Sequence, residues 1–339
     1  MKTKPMTKFA ILALSLVLVA CAGGGSEEAG CPAIDGREIN VVATTPMIGE
    51  FVSQVGGEKI NLTVLMPPEA NPHTYEPAPQ DAGTIAEADL VFYTGLLYEP
   101  AALVKLLENS ACSTDILSEV GESVFPIEFK EGGHDDHDDH DDHDDEEGHD
   151  DEEGHDDHEG HNHGAYDPHF WFDPSRVAYA AEYIESRLIE FDPENESSYK
   201  SSADSFVSEL NDLTKQVSEL ISTVPSQNRK LITTHESLGY LEAKFGLEVL
   251  STIIPSLNSA NEISPSDLAG VIDVIEDNNV KVIFIESEAP SVYSETIVAE
   301  TGIKSVTGLY VETLKPGQSY SGFLISNVTL ITENLQDTD

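Results

Sequence analysis

The stretch from residue 131 to 163 limits the fold more than any other. It reads EGGHDDHDDHDDHDDEEGHDDEEGHDDHEGHNH, with eighteen acids, nine histidines and no basic or apolar side chain. A segment with nothing to bury cannot join a hydrophobic core, so it is expected to be a disordered insertion. The globular part must be assembled from the residues on either side of it. In a chain of 339 residues these suffice for two domains.

The charge carries the next constraint. The net charge is −46, and residues 131–163 supply −18 of it, leaving −28 for the rest. A surface this acidic repels phosphate backbones and anionic lipid, so nucleic acid and charged membrane surfaces are not expected as partners. It attracts cations instead.

The N-terminus reads as targeting sequence. Lys2, Lys4 and Lys8 precede the apolar run Phe9–Ala20. That run of 12 residues is too short for a membrane helix, which needs roughly 20. Leu18-Val19-Ala20-Cys21 resembles a bacterial lipobox, which implies cleavage before Cys21 and acylation of that residue. Residues 1–20 are then a signal peptide and 21–37 a lipid-anchored tether, placing the protein outside the cytoplasmic membrane. In an exported protein the remaining Cys31 and Cys112 can form a disulfide, with two free thiols as the alternative.

Strands and helices are expected to alternate. Glu38–Thr44, Ile60–Met66 and Leu90–Thr94 are apolar, β-rich runs; Val124–Phe129 reads as one more strand. Helices are expected from Pro46 to Val55, from Pro79 to Ala88 and from Ala101 to Asn109. Asp173-Pro174 and Asp192-Pro193 each begin a helix, with Asp as cap and Pro in the first turn. From residue 194 to 224 there is no glycine or proline, and Phe206, Leu210, Leu213, Val217, Leu220 and Ile221 recur at helical spacing. Strands follow at Lys230–Thr234, Glu248–Ile253, Val280–Ile285 and Lys304–Leu309, separated by helices, with a last helix over Tyr320–Leu335. The expected fold class is α/β: two similar lobes, each with a mostly parallel sheet flanked by helices. The lobes cover residues 38–192 and 226–339, joined by a linker helix over 193–225.

Only three histidines lie outside the insertion: His73, His169 and His235. Each sits in a connection, where parallel sheets place their ligands, beyond the carboxyl ends of the strands. Two are in stiffened settings, Asn71-Pro72-His73 and Asp167-Pro168-His169. Three imidazoles with one oxygen make a tetrahedral zinc site. Phe170 and Trp171, next to His169, fit either a wall of that site or ordinary core. Such a set also describes catalytic zinc, but no general base or substrate pocket is specified, and no enzymatic activity is expected.

The motifs NPHTYEP, DPHFWFDP, THESLGYLEAKFG and IFIESEAPSVYSETIVAETGI occur in this order around the long helix. Together they make the chain resemble the cluster A-I solute-binding proteins of zinc and manganese ABC transporters, from about Ile39 to the C-terminus. The acidic, His-rich insertion is a further mark of the zinc-type members. The resemblance implies one metal held between two lobes joined by a rigid helix, with His73, His169 and His235 as ligands. The fourth position maps onto Glu312, where the family usually has Asp; Glu286, Glu288 or a water are the other candidates. Manganese-type members resemble a Glu at the place of His235, so zinc is the expected ion and manganese the second choice. The implied partners are an ABC permease and its ATPase, with contact to the membrane through the lipid anchor only and the binding protein itself a monomer. A metal-buffering or surface-interaction lipoprotein without a transporter is the alternative.

The insertion itself has a period. His134, His137, His140, His143, His149, His155, His158 and His161 share a spacing of three, and only His163 departs from it. An extended left-handed chain with three residues per turn would align them on one side. The stretch is expected to collect several metal ions loosely and pass them on.

Overall fold

The computed structural model describes residues 31, 34, 36–68, 70–129, 166–254, 256, 263–288 and 292–336. The signal segment, Cys21 and the insertion with its nine histidines, His134 to His163, lie outside the described residues.

The first lobe is built on β1 (Ile39–Ala43), β2 (Ile60–Val64), β3 (Leu90–Tyr93) and β4 (Leu117–Glu119), all parallel in the order β2-β1-β3-β4. Between them run α1 (Pro46–Gly56), α2 (Pro79–Ala86) and α3 (Ala101–Ser110). Local chemistry sets these limits. Thr45 caps α1, its hydroxyl accepting from the Ile48 N–H at 3.2 Å, and Pro46 occupies the first turn. Gly57, at φ 54°, ends the helix in a conformation that glycine adopts without strain.

Two helices follow the insertion, α4 (Pro174–Phe191) and α5 (Glu196–Ser222). At 27 residues α5 is about 40 Å long. It buries one stripe: Tyr199, Ala203, Phe206, Leu210, Leu213, Val217 and Ile221. That stripe packs on α1 and α4 and, toward its other end, on the last helix of the chain. One apolar cluster thus runs from the first lobe through α5 into the second.

The second lobe repeats the plan. β5 (Lys230–His235), β6 (Glu248–Ile254), β7 (Val282–Glu286) and β8 (Lys304–Leu309) are parallel in the order β6-β5-β7-β8. Its helices are α6 (Gly239–Phe245), α7 (Pro265–Asn278), α8 (Val292–Thr301) and α9 (Tyr320–Gln336). The expected fold class holds: two parallel-sheet lobes with flanking helices and one long helix.

One expected strand is absent and another was missed. Val124 closes a 3-10 turn, and Phe125 takes φ 53°, a left-handed conformation that no strand contains. Within the run Val124–Phe129, Glu128 forms an isolated antiparallel bridge to Tyr166 and no strand is formed. The edge strand of the sheet is Leu117–Glu119 instead, three residues without a β-branched side chain. It is a strand because β3 presents a free edge, not because its sequence favours one.

Cys31 and Cys112 are joined by a disulfide, with Cα atoms 5.0 Å apart and 81 positions of separation. It ties the chain ahead of β1 to the end of α3. Closing a loop of this length removes unfolded-state entropy worth about 4 kcal/mol. Reduction, or the Cys31→Ala, Cys112→Ala double variant, is expected to lower unfolding stability by about that amount in denaturant titrations. A change below about 1 kcal/mol would show that the bridge only tethers an already ordered segment.

Candidate metal centre

Two of the histidines are presented by the same local device. In Asn71-Pro72-His73, the Asn71 Oδ1 accepts the His73 backbone N–H at 2.9 Å. In Asp167-Pro168-His169, the Asp167 Oδ1 accepts the His169 backbone N–H at 2.8 Å. Both are Asx turns with proline at the centre, so the backbone carrying each imidazole is fixed before any ion arrives. His235 is the last residue of β5, and Glu312 lies past the end of β8. The four side chains reach the cleft between the lobes from three connections and the carboxyl end of β5.

Their ligand atoms all lie within 4.8 Å of one another. The Oε1 of Glu312 is 3.0 Å from His73 Nε2 and 2.9 Å from His235 Nε2, and its Oε2 is 3.5 Å from His169 Nε2. A tetrahedral zinc ion with ligands at about 2.0–2.1 Å separates its ligand atoms by about 3.4 Å. The cluster already has nearly that size. His169, His235 and Glu312 are buried, and His73 keeps only 4% of its side chain exposed. Neither His169 Nε2 nor His235 Nε2 has an aligned hydrogen-bond partner. Two buried imidazole nitrogens left in this way are costly unless something else binds them.

Behind the histidines stand carboxylates. His169 Nδ1 bonds to Asp167 Oδ1 at 2.8 Å, and His235 Nδ1 bonds to Glu286 Oε2. Each pairing turns Nε2 toward the centre and makes the ring a better ligand. Glu286 also accepts from the Thr233 hydroxyl at 2.8 Å and the Ser237 hydroxyl at 3.2 Å, so its position is fixed from several sides. Glu286 therefore stands behind a histidine, not in the cluster. Glu288 holds the loop of Glu312: its Oε1 accepts the N–H groups of Val311 and Glu312 at 3.2 and 3.3 Å.

The electrostatics of the cluster follow from these contacts. Burial works against a charged His169, yet Asp167 and Glu312 outweigh it, and its pKa is raised to about 9. His235 is likewise buried, and Glu286 and Glu312 carry its pKa well above the usual imidazole value. For Glu312, burial opposes ionisation, but the three imidazoles hold its pKa well below the usual carboxylate range. Glu288, pressed by burial and by the charges of Glu312 and Glu286, rises to about 8. Without an ion, the centre is a carboxylate beside two protonated imidazoles, those of His169 and His235.

The aromatic neighbours divide. Trp171 stands 5.4 Å from the His169 ring and donates its Nε1 to the Val311 carbonyl at 2.8 Å, so it walls the centre and fixes the loop that carries Glu312. Phe170 turns away and packs on Phe51 at 6.2 Å. Tyr98, unnoticed in the sequence, lies 5.0 Å from the His73 ring and donates its hydroxyl to Glu312 Oε2 at 2.9 Å. Burial and the Glu312 charge keep that phenol protonated.

Comparison with known proteins agrees with this geometry. Residues 41–334 match the family described as zinc-uptake complex component A, periplasmic. The manganese ABC transporter substrate-binding lipoprotein PsaA of Streptococcus anginosus is 26% identical over 342 residues, covering 98% of this chain and 99% of that protein. The high-affinity zinc uptake system protein ZnuA of Bacillus subtilis is 28% identical over 337 residues, covering 96% of each. Among solved structures, the periplasmic zinc-binding protein TroA of Treponema pallidum superposes with a TM-score of 0.72 at 21% identity, covering 88% of this chain and 99% of that one. With sequence, fold and cleft in agreement, the chain belongs to the zinc-uptake component A family, the solute-binding proteins of metal ABC transporters.

Proposed function

We propose that this protein captures Zn2+ outside the cytoplasmic membrane, in the centre formed by His73, His169, His235 and Glu312, and delivers it to the permease and ATPase of an ABC importer. The observation that carries the metal identity is the donor set, three imidazoles and one carboxylate. Imidazole suits zinc, whereas manganese favours sites richer in carboxylate and water. Manganese is the second reading, supported by the names of relatives such as PsaA. The lipobox at Leu18–Cys21 supports an anchored protein, with Cys21 as the acylated residue and the monomer as the working unit.

The insertion is proposed as an accessory collector. Its base is pinned beside the centre: Glu128 pairs with Tyr166, and the Asp167 N–H donates to the Ile127 carbonyl at 3.0 Å. Tyr240 ties both sides, receiving the Ile127 N–H at 3.2 Å and donating to the Asp167 carbonyl at 2.8 Å. Ions held loosely by residues 134–163 would be released a few residues from His169.

Calorimetric zinc titration of the full chain and of one lacking residues 131–163, each with manganese as competitor, tests both readings. The full chain is expected to take one ion tightly and several weakly, and the shortened chain the tight one alone. Manganese displacing zinc from the tight site at equal concentration would overturn the zinc reading. Weak sites surviving the deletion would overturn the collector.

A further inference from the structure

We propose that Tyr98 sets the metal selectivity of the centre, by reserving one oxygen of Glu312 so that the carboxylate offers the ion a single ligand atom. This rests on the metal-binding reading above and extends it from which residues hold the ion to how many atoms they lend.

The two oxygens of Glu312 have different surroundings. Oε1 faces His73 Nε2 and His235 Nε2 at 3.0 and 2.9 Å, where an ion would sit. Oε2 receives the Tyr98 hydroxyl at 2.9 Å and lies 3.5 Å from His169 Nε2. The same hydroxyl is 3.2 Å from the Glu312 backbone carbonyl, so the phenol is seated against the residue at two points. An occupied Oε2 leaves Oε1 as the free donor. Three nitrogens and one oxygen complete a tetrahedron, the shape zinc takes. Manganese prefers octahedral, oxygen-rich surroundings, and the second carboxylate oxygen is the nearest donor it could add.

The loop that delivers Tyr98 is held against its own backbone preference. Gly95, Leu96 and Leu97 lie in succession at φ 76°, 53° and 62°. Two consecutive leucines in the left-handed region are uncommon, and such strain persists only where the surroundings enforce it. Here two carboxylates do so. The buried Glu99 accepts the Thr94 N–H at 2.7 Å, the Gly95 N–H at 2.9 Å and the Thr44 hydroxyl at 2.7 Å. Glu119 accepts the Leu96 N–H at 2.8 Å, and a Cβ at Gly95 would fall 2.0 Å from its Oε1. The outcome is a ring fixed between His73 at 5.0 Å, His169 at 5.8 Å and Trp171 at 5.3 Å, with its hydroxyl on Glu312. A packing role alone needs the ring. The hydroxyl is what the strained loop aims.

The test uses the full chain, with Tyr98→Phe and Trp171→Phe for comparison. Zinc and manganese affinities are measured by competition. Cobalt(II) is added at half an equivalent, so that the tightest site fills, and its visible spectrum is recorded. Four-coordinate cobalt absorbs strongly and higher-coordinate cobalt weakly. The intact chain is expected to give the intense spectrum. Tyr98→Phe is expected to reduce the zinc-to-manganese affinity ratio by at least about tenfold, within the range that supporting partners of a metal site command, and to weaken the cobalt bands. Trp171→Phe removes the bond to the Val311 carbonyl beside Glu312; it should lower both affinities and leave their ratio in place. An unchanged ratio in Tyr98→Phe, or the same change in Trp171→Phe, overturns the role of the hydroxyl. A weak cobalt spectrum in the intact chain overturns it even if Tyr98→Phe does not fold. An intact chain that takes up no ion overturns the metal reading as well.

Discussion

Lowering the pH from about 8 to about 6 is expected to weaken zinc binding by on the order of 10^4-fold, because two protons would have to leave the centre for each ion that enters. In the empty site His169 keeps its proton up to about pH 9, and the pKa of His235 is likewise well above the usual imidazole value. Both protonated rings must become neutral before Nε2 can donate to a metal. Two protons out and one doubly charged ion in leave the net charge of the buried centre unchanged, which removes the main cost of placing an ion there. Each displaced proton changes the apparent affinity tenfold per pH unit, so the logarithm of the affinity should rise with a slope near two. The empty chain responds with the opposite sign. A folded-state pKa of about 9 for His169 exceeds that of a free imidazole at about 6.5. The pairing therefore stabilises the empty fold fully below about pH 6.5, and the benefit is lost as the pH rises through about 9. Isothermal titrations across this window, with thermal unfolding of empty and loaded protein, check both slopes. A slope near zero for zinc would mean that the imidazoles are already neutral in the empty site.

Much of the architecture was legible because turn chemistry punctuates it. Thr45-Pro46, Asp173-Pro174 and Ser264-Pro265 each cap a helix where the sequence places one. The Ser264 hydroxyl and Asp267 carboxylate form a reciprocal capping box at the start of α7. The failure at Val124–Phe129 has the same root. A β-rich composition says nothing about the left-handed φ of Phe125, and Leu117–Glu119 pairs only because a neighbouring strand leaves it a place. Pairing of that kind is decided by tertiary context, which local propensity does not contain.

The centre was legible to a different depth. Histidines outside the insertion are few, so His73, His169 and His235 stood out by scarcity. The carboxylates behind them did not, because aspartate and glutamate are the most abundant charges in this chain. Asp167 had a signal available: the Asx-Pro-His pattern repeats at Asn71 and Asp167, and in both the first side chain captures the N–H of the histidine. Glu286 and Glu288 were visible as acids near a strand end, but only the fold tells that one stands behind His235 and the other behind the Glu312 backbone. Tyr98 lay 25 residues from the nearest motif histidine, in a loop whose conformation no pattern announces.

Replacing His73, His169 and His235 together by alanine is expected to abolish tight zinc binding, and the three single variants separate ligand loss from loss of fold. Binding free energies of about 10–16 kcal/mol for four-ligand zinc sites imply that each ligand contributes on the order of 3 kcal/mol, or more than 100-fold in affinity. That loss should be similar for all three positions. Stability should not be. His235→Ala leaves Glu286 buried with a charge and no imidazole opposite it, and removing one member of such a pair costs about 3–5 kcal/mol. His169→Ala exposes Asp167 to the same penalty in milder form, since the Asp167 side chain keeps 6% exposure whereas that of Glu286 keeps none. His73 packs its ring on Tyr98 at the edge of the cleft, and its side chain retains slight exposure. His73→Ala removes one of the imidazoles that face Glu312, which keeps His235 Nε2 and the Tyr98 hydroxyl at 2.9 Å, so it is expected to lose zinc at a smaller cost in stability than His235→Ala. Calorimetry beside denaturant titration of the metal-free variants distinguishes the two quantities. Tight zinc binding retained by the His73→Ala chain would remove that residue from the ligand set, and retention by the triple variant would place the zinc site elsewhere in the protein.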